Sequence, residues 1–540
     1  MVNMKVFSLI YILPLVVAAA PPTAVLKSGP IFGIQTSLPQ AIAPVNKFLG
    51  IPYADPPERF GLSKSPKKWI APRNATAFSR SCLNSGAPLS LIPGGAVFAS
   101  LQKPLPQRED CLYINVFSPA TSGPPSGRPI ILYIPGGGFQ AGSGIVDLSG
   151  FAAYEDVIAM SINYRLNVFG FPNSPDIPLA ERNLGLLDQR LALSWVQENA
   201  AAFGGDASKV TIWGGSAGSF SVSLHVQSFV NASPPPFRAA IMSSGQSAFG
   251  LLATLPDNPE NYDIWTTVSK IVNCSEKATN LACMRHVPAT MLQEALLAAK
   301  AAFVPVKDDI TVPAAPATAW KSGKVAKVPL LNTNVAQEGR ALVDQSITLT
   351  QFTEMFLGPQ FVTDSDRDAI LAYYKTNAVL TSDFDIIAAI YTDMLWVCPQ
   401  TLMAGVSASN GQPTWRYHFN TSLTPLLGEQ FAWLGAFHGS DVMLVNIAPT
   451  FETNQASGMT ADLYLMASYL RGMFARFVKN PAGGTAWPGV DSAYTPRDVA
   501  VLGNTNTGAS GGVSLGDQKD IYDACRLYQS IYQAIESATL

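Results

Sequence analysis

Three short apolar runs, each long enough for one strand, constrain the fold most. They cover residues 129–134, 157–163 and 209–213, and none shows the strict alternation of a half-exposed strand. Continuous runs of this kind are typical of strands buried on both faces of a parallel sheet. Residues 186–203, between the second and third runs, carry apolar side chains at helical spacing. This strand–helix–strand order predicts an α/β fold, with a mostly parallel sheet covered by helices.

The second half of the chain has more helical patterns, and residues 461–479 form a clear amphipathic helix that ends before Pro481. The length of 540 residues would allow several domains. No linker, repeat or low-complexity tract divides the chain, so we expect one domain over residues 20–540 with helical insertions in its second half. The net charge of −3 gives no reason to expect a nucleic-acid partner.

The N-terminus has the layout of a secretory signal. Lys5 precedes an apolar run and then three alanines, which predicts a signal peptide over residues 1–19 with cleavage after Ala18 or Ala19. No later run approaches ~20 apolar residues, so we expect no integral membrane segment. Secretion fits two further sets of residues. Six cysteines, which permit 15 pairings, favour three disulfides, and four asparagines stand in glycosylation sequons (Asn74, Asn231, Asn273 and Asn420).

Residues 214–218 read Gly-Gly-Ser-Ala-Gly and directly follow the third apolar run. A serine between small residues, where a strand gives way to a helix, is the pattern of a nucleophile elbow. The tight turn leaves no room for side chains at Gly214 and Gly218, and it exposes the hydroxyl of Ser216. Five residues alone are a weak signal, so the prediction depends on finding a base, an acid and an oxyanion hole.

A serine hydroxyl needs a neighbouring base, and only four histidines are present. His225, His286 and His418 lie in helix-like, cysteine-flanked and strand-like surroundings, which favour structural roles. His438 differs, because it lies in a loop of small residues between apolar segments. The acid is expected between serine and histidine in the chain, where Glu338 follows a strand-like segment and precedes a glycine. Its role would be to hold the imidazole in one tautomer.

Three glycines at residues 136–138 follow the first apolar run. Glycines let backbone N–H groups approach a substrate, so two amides of this loop and that of Ala217 could surround an oxyanion.

Together these residues resemble the type-B carboxylesterase/lipase family, which includes cholinesterases and fungal lipases, and the resemblance covers nearly the whole mature chain. It rests on the elbow, the glycine loop and five further motifs (residues 48–54, 109–116, 163–170, 183–190 and 199–206). It implies an α/β-hydrolase fold, Ser216 as nucleophile, Glu338 as acid and His438 as base. It also implies oxyanion donors at Gly137, Gly138 and Ala217, and disulfides Cys82–Cys111, Cys274–Cys283 and Cys398–Cys525.

The chain departs from the family pattern at two positions. Family members usually carry a glutamate before the nucleophile, where this chain has Gly215. The carboxylate that would help to position water and the charged histidine is therefore absent. An aromatic residue or histidine usually precedes the three glycines, where this chain has Pro135.

The loop from Leu83 to Asp110 corresponds to the family's lid region, which carries a choline-binding tryptophan in cholinesterases. It contains no tryptophan, and Leu101 stands at the matching place. A quaternary ammonium group needs an aromatic face, so we expect no choline ester as substrate. The apolar residues of the loop either face the ester or pack as ordinary core (Leu89, Leu91, Ile92, Val97, Phe98 and Leu101).

The expected activity is hydrolysis of small uncharged carboxylic esters through an acyl-enzyme, with no metal or organic cofactor. Two alternatives remain at this point. One is a lipase that acts on long-chain lipid esters at an interface. The other is a binding or adhesion protein on the same fold. The sequence does not indicate the physiological ester or the oligomeric state.

Overall fold

A computed structural model of the chain describes residues 20–84, 105–254, 258–274, 279–452, 458–491, 499–503, 512–516 and 521–539. The predicted signal peptide lies outside these ranges. So do the six apolar residues of the loop between Cys82 and Cys111.

The strands of the described residues form one small sheet and one large sheet. The small sheet contains β1 (Thr23–Val25), β2 (Pro30–Phe32) and β5 (Arg73–Asn74). The large sheet contains β3 (Ile34–Thr36), β4 (Val45–Pro52), β6 (Tyr113–Pro119), β7 (Arg128–Ile134), β8 (Ile158–Ile162), β9 (Gly205–Gly215), β10 (Ala239–Ser243), β11 (Leu330–Val335), β12 (Thr414–Phe419), β13 (Val499–Leu502) and β14 (Val513–Gly516).

The large sheet is mostly parallel, as expected for an α/β-hydrolase fold. Its strand order is β14-β13-β12-β11-β10-β9-β7-β8-β6-β4-β3. Strands β8, β7, β9, β10, β11, β12 and β13 run parallel to their neighbours in this order. The remaining strands pair antiparallel at the two edges. The carboxyl ends of the parallel strands therefore all lie on the same side of the sheet, where ligand sites of such sheets lie. We call this side the carboxyl edge of the sheet.

Both faces of the sheet are buried, which explains the continuous apolar runs. In β7, Ile130, Leu132 and Ile134 contribute to one core, whereas Ile131 and Tyr133 contribute to the core on the opposite face. Because successive strand residues point to opposite faces, a strand between two cores needs apolar residues at every position.

Helices cover both faces. In chain order the helices are α1 (Ser149–Glu155), α2 (Asn167–Gly170), α3 (Leu184–Asn199), α4 (Ala217–Ser228), α5 (Asp263–Ile271), α6 (Leu281–His286), α7 (Ala289–Ala298), α8 (Pro316–Lys321), α9 (Leu349–Phe356), α10 (Asp364–Lys375), α11 (Asp383–Tyr391), α12 (Cys398–Ser409), α13 (Thr424–Leu427), α14 (Ser440–Glu452), α15 (Ala461–Lys479) and α16 (Gln529–Thr539). Helices α3 and α4 pack into one core, and α1 and α15 into the other.

The second half adds a third, helical core built from α9, α10, α11 and the C-terminal segment. A π-helical turn, Thr392–Val397, joins α11 to α12. The resulting segment Asp383–Ser409 is long and apolar enough to cross a membrane by length and composition. However, 67% of its apolar window is buried within the fold, so it is a core helix of this molecule.

The six cysteines form three disulfides, Cys82–Cys111, Cys274–Cys283 and Cys398–Cys525. These are the pairs that the resemblance implies. The third bridge joins the start of α12 to a short 3-10 segment at Asp523–Tyr528, 127 residues away in sequence.

Candidate active site

Ser216 lies in a sharp turn between β9 and α4. Its backbone angles are φ 55° and ψ −124°, a left-handed conformation that is costly for a residue with a side chain. A Cβ on Gly214 would lie 2.2 Å from the backbone of Gly218, and one on Gly218 would lie 2.1 Å from the carbonyl oxygen of Ile134. These contacts explain why glycine stands at both positions of the elbow.

The loop of three glycines passes beside the nucleophile. A Cβ on Gly136 would lie 2.9 Å from the Cβ of Ser216. Gly137 and Gly138 have φ of +118° and +62°, which favour glycine. The ring of Phe139 packs at 6.0 Å against Phe220 of α4 and so ties the loop to the helix that starts at the elbow. The three glycines and Ser216 are half-buried, so this part of the site is open to solvent.

Glu338 and His438, 100 residues apart in sequence, form a buried hydrogen-bonded pair. Oε2 of Glu338 lies 2.6 Å from Nδ1 of His438. The other carboxylate oxygen accepts hydrogen bonds from Ser244 Oγ at 2.6 Å, the Val335 amide at 3.0 Å and Asn334 Nδ2 at 3.3 Å. The carboxyl group is fully buried, and these donors replace the water that it loses.

Backbone contacts hold the acid and the base in register. Gln337, next to the acid, forms a parallel bridge with Phe437, next to the base. The Gln337 amide also donates to the carbonyl oxygen of Ala436 at 2.9 Å. On the other side of the acid, a Cβ on Gly339 would lie 2.3 Å from the carbonyl oxygen of Ala388, so the turn after Glu338 requires glycine.

The predicted triad residues thus lie at the carboxyl edge of the sheet. Ser216 follows β9, Glu338 follows β11, and β10 lies between these strands. The end of β10 connects them, because the Ser216 amide donates to the Ser243 carbonyl oxygen at 2.9 Å and the next residue, Ser244, binds Glu338.

The π-helical turn contacts the predicted base and the residue that follows the predicted acid, and no sequence pattern indicated this turn. The Gly339 amide donates to Thr392 Oγ1 at 2.8 Å. The indole of Trp396 lies 4.3 Å from the imidazole of His438, measured between ring centroids. π-helical turns are rare and often occur at functional sites.

Asp441 is a second buried carboxylate near the pair, and no motif in the sequence points to it. It accepts a hydrogen bond from Tyr417 Oη at 2.8 Å. Burial is the main cause that raises the pKa of Asp441, and the charge of Glu338 adds to it. Its place three residues after the predicted base is the only signal that could have suggested it.

The other three histidines lie in α4, β12 and α6. His225 is buried in α4, where its Nε2 lies 2.8 Å from Gln189 Oε1, and burial lowers its pKa to about 3. His418 lies in β12, and burial lowers its pKa to about 4. His286 ends α6 and is exposed, with Nδ1 at 2.7 Å from the Ala282 carbonyl oxygen.

The fold and this geometry agree with comparisons to known proteins. Residues 20–509 match the sequence model of the carboxylesterase family. The chain is 30% identical over 516 residues to carboxylesterase 5A of Felis catus, covering 89% of this chain and 90% of that protein.

Two further relatives cover less of the chain. Lipase 5 of Diutina rugosa is 32% identical over 410 residues, which are 68% of this chain and 72% of the lipase. Neuroligin-3 of Mus musculus is 29% identical over 484 residues, which are 79% of this chain and 57% of that protein.

Proposed function

The chain belongs to the carboxylesterase family and is a carboxylic ester hydrolase, and on that premise we propose that it cleaves uncharged esters through an acyl-enzyme on Ser216. His438 acts as the base and Glu338 as the acid of the triad. The observation that carries the proposal is the buried 2.6 Å hydrogen bond between Glu338 and His438, at the sheet edge where Ser216 occupies its strained turn.

In the acylation step, Ser216 Oγ attacks the ester carbonyl carbon and gives its proton to His438 Nε2. Glu338, bound to Nδ1, fixes the tautomer that leaves Nε2 to take this proton, and its charge stabilises the imidazolium. The carbonyl oxygen becomes an oxyanion, for which we propose the amides of Gly137, Gly138 and Ala217 as donors. The intermediate then collapses, and the alcohol leaves with the proton from His438.

In the deacylation step, water attacks the acyl carbon and gives a proton to His438. The second tetrahedral intermediate releases the carboxylic acid, and the proton returns to Ser216 Oγ. No group other than the ester and water is consumed, so atoms and charge balance over the cycle.

Lipid esters are the second candidate substrate class, favoured by the similarity to lipase 5 of Diutina rugosa. The two classes differ in how the rate depends on substrate aggregation. We expect turnover of short-chain esters below their aggregation limit. A sharp rise of the hydrolysis rate only above that limit would favour lipase activity for this chain.

The test is a hydrolysis screen of p-nitrophenyl esters from acetyl to palmitoyl, with Ser216→Ala as the matched blank. Removing the nucleophile should lower kcat by roughly 10⁴-fold or more, because acyl transfer then lacks its covalent route. Equal rates for the parent and the folded Ser216→Ala protein would reject the proposed nucleophile.

We propose further that the mature chain is secreted. Three disulfides fit an oxidising compartment. The asparagines of all four sequons are exposed, as glycan attachment requires (Asn74, Asn231, Asn273 and Asn420).

A further inference from the structure

Arg416 is a fully buried arginine in β12, behind the catalytic acid and outside the triad. Its guanidinium donates to Thr401 Oγ1 at 2.6 Å and to Asn334 Oδ1 at 2.9 Å, and it lies 4.6 Å from the ring of Tyr522. All three partners are neutral. Arg416 forms no ion pair with the residues that the structure describes, and a buried cation without an anion partner is costly, so its retention at this point needs a reason.

Asn334 connects this cation to the acid. Its Oδ1 accepts from Arg416, and its Nδ2 donates to Glu338 Oε1 at 3.3 Å. Arginine can only donate and an ionised glutamate can only accept, so the two neighbours fix the orientation of the amide. The chain of contacts runs from Arg416 through one amide to Glu338 and then to His438.

We propose that Arg416 is a positioning residue that supplies the counter-charge of the catalytic acid through Asn334 and so opposes proton uptake by the acid–base pair. This inference rests on the proposed function. Adding a proton to the Glu338–His438 pair changes its net charge from −1 to 0, whichever residue holds the proton. A nearby buried cation opposes that change, because opposite charges attract strongly where water is excluded.

Titratable groups on α14 and β12 also face the pair. Asp441 at the start of α14 acts in the opposite sense to Arg416, because its negative charge favours proton uptake by the pair. Tyr417, its partner, has its pKa raised by burial and stays neutral. His418 is uncharged above pH 4, because burial and Arg416 lower its pKa to about 4.

Asp393 of the π-helical turn titrates at mildly acidic pH. Burial raises its pKa to about 6, and its carboxylate accepts from Tyr374 Oη at 2.6 Å. Asp393 and Arg416 both act on Tyr522. A test on Arg416 must therefore separate the titration of Asp393 from that of the pair.

The experiment measures kcat/KM for a neutral short-chain ester against pH, for the full chain and for Arg416→Gln. Loss of the cation should move the midpoint of the acid limb upward by about one pH unit. Arg416→Lys keeps a charge and should keep the parental midpoint. A merely structural role would lower the amplitude of the profile without moving its midpoint.

A second variant guards against failure of Arg416→Gln to fold. Asn334→Asp keeps the size of the linking side chain but places an anion beside Glu338, and it should also move the midpoint upward. The same Arg416→Gln comparison in an Asp393→Asn background should show the same displacement. If the displacement of the midpoint vanishes in the Asp393→Asn background, the acid limb of kcat/KM reports the titration of Asp393, and the proposal is wrong.

Unchanged midpoints in folded Arg416→Gln and Asn334→Asp proteins would overturn the role of Arg416 and leave the proposed function intact. If the parent chain has no esterase activity that the Ser216→Ala substitution removes, the proposed function itself would be overturned. The two failures are therefore distinguishable.

Discussion

At the residue scale, three non-glycine residues near the site have a positive φ: Phe139, Ser244 and the predicted nucleophile, Ser216. A non-glycine residue in its conformation costs about 1–3 kcal/mol, and the surroundings must hold it there. Gly214, Gly218 and Gly136 permit the turn because a Cβ on any of them would collide with neighbouring backbone. The turn leaves Ser216 half-buried at the start of α4.

Gly215 differs from Gly214 and Gly218, because the three atoms nearest to a Cβ there all belong to the side chain of Val442, the closest being Cγ2 at 3.0 Å, whereas a Cβ on the other two glycines would meet backbone. We predict that Gly215→Glu folds with a loss of about 1 kcal/mol from crowding. Its added negative charge should raise kcat/KM for esters of cationic alcohols, relative to matched neutral esters, by roughly tenfold. Steady-state kinetics on both ester types measure this ratio.

Gly215→Gln is the matched control for that variant, since it has the same size and no charge. It should crowd Val442 equally and leave the ratio unchanged. If Gly215→Glu has the kinetics of the parent, the replacement of the family's glutamate by glycine does not affect catalysis in this chain.

The sequence predicted Ser216, Glu338 and His438 because each stands in a local pattern, and the structure brings them to one sheet edge. Arg416 and Asn334 have no such pattern. They are 82 residues apart in sequence, and their contact depends on the pairing of β11 with β12. A charge inside an apolar strand is noticeable in a sequence, but its partner is not.

At the element scale, the predicted and observed bounds agree where the apolar pattern extends over the whole length of one helix or strand. The helix predicted at 461–479 is observed as α15 over the same residues. The run at 209–213 belongs to the longer strand Gly205–Gly215, because its less buried first half still pairs with β7. The π-helical turn could not be predicted, since one extra residue in a helical turn leaves no mark on the apolar pattern.

The disulfide Cys398–Cys525 fixes the end of this turn to the C-terminal segment. We predict that Cys398→Ala with Cys525→Ala lowers the free energy of unfolding by about 2–5 kcal/mol, measured by urea titration of the folded, oxidised protein. The bridge Cys274–Cys283 spans only 9 residues and is the natural control. Its removal should cost roughly 2 kcal/mol less, because the shorter loop restricts the unfolded chain less. Equal losses would contradict this argument.

At the scale of the whole molecule, one sheet separates two cores and carries the candidate site at its carboxyl edge. Neither core is complete without the sheet. We therefore propose that residues 20–540 fold as one domain, with the helical core of the second half built onto it. The π-helical turn joins that added core to His438 and to Gly339, the residue after the predicted acid.

The proposed activity depends first on Ser216 as the nucleophile. The most direct test treats the folded protein with diethyl p-nitrophenyl phosphate and maps the adduct by peptide mass spectrometry. We expect one diethylphosphoryl group on Ser216, loss of esterase activity in proportion to labelling, and no adduct in Ser216→Ala. An active protein that carries no adduct on Ser216, or carries it on another residue, would show that Ser216 is not the nucleophile.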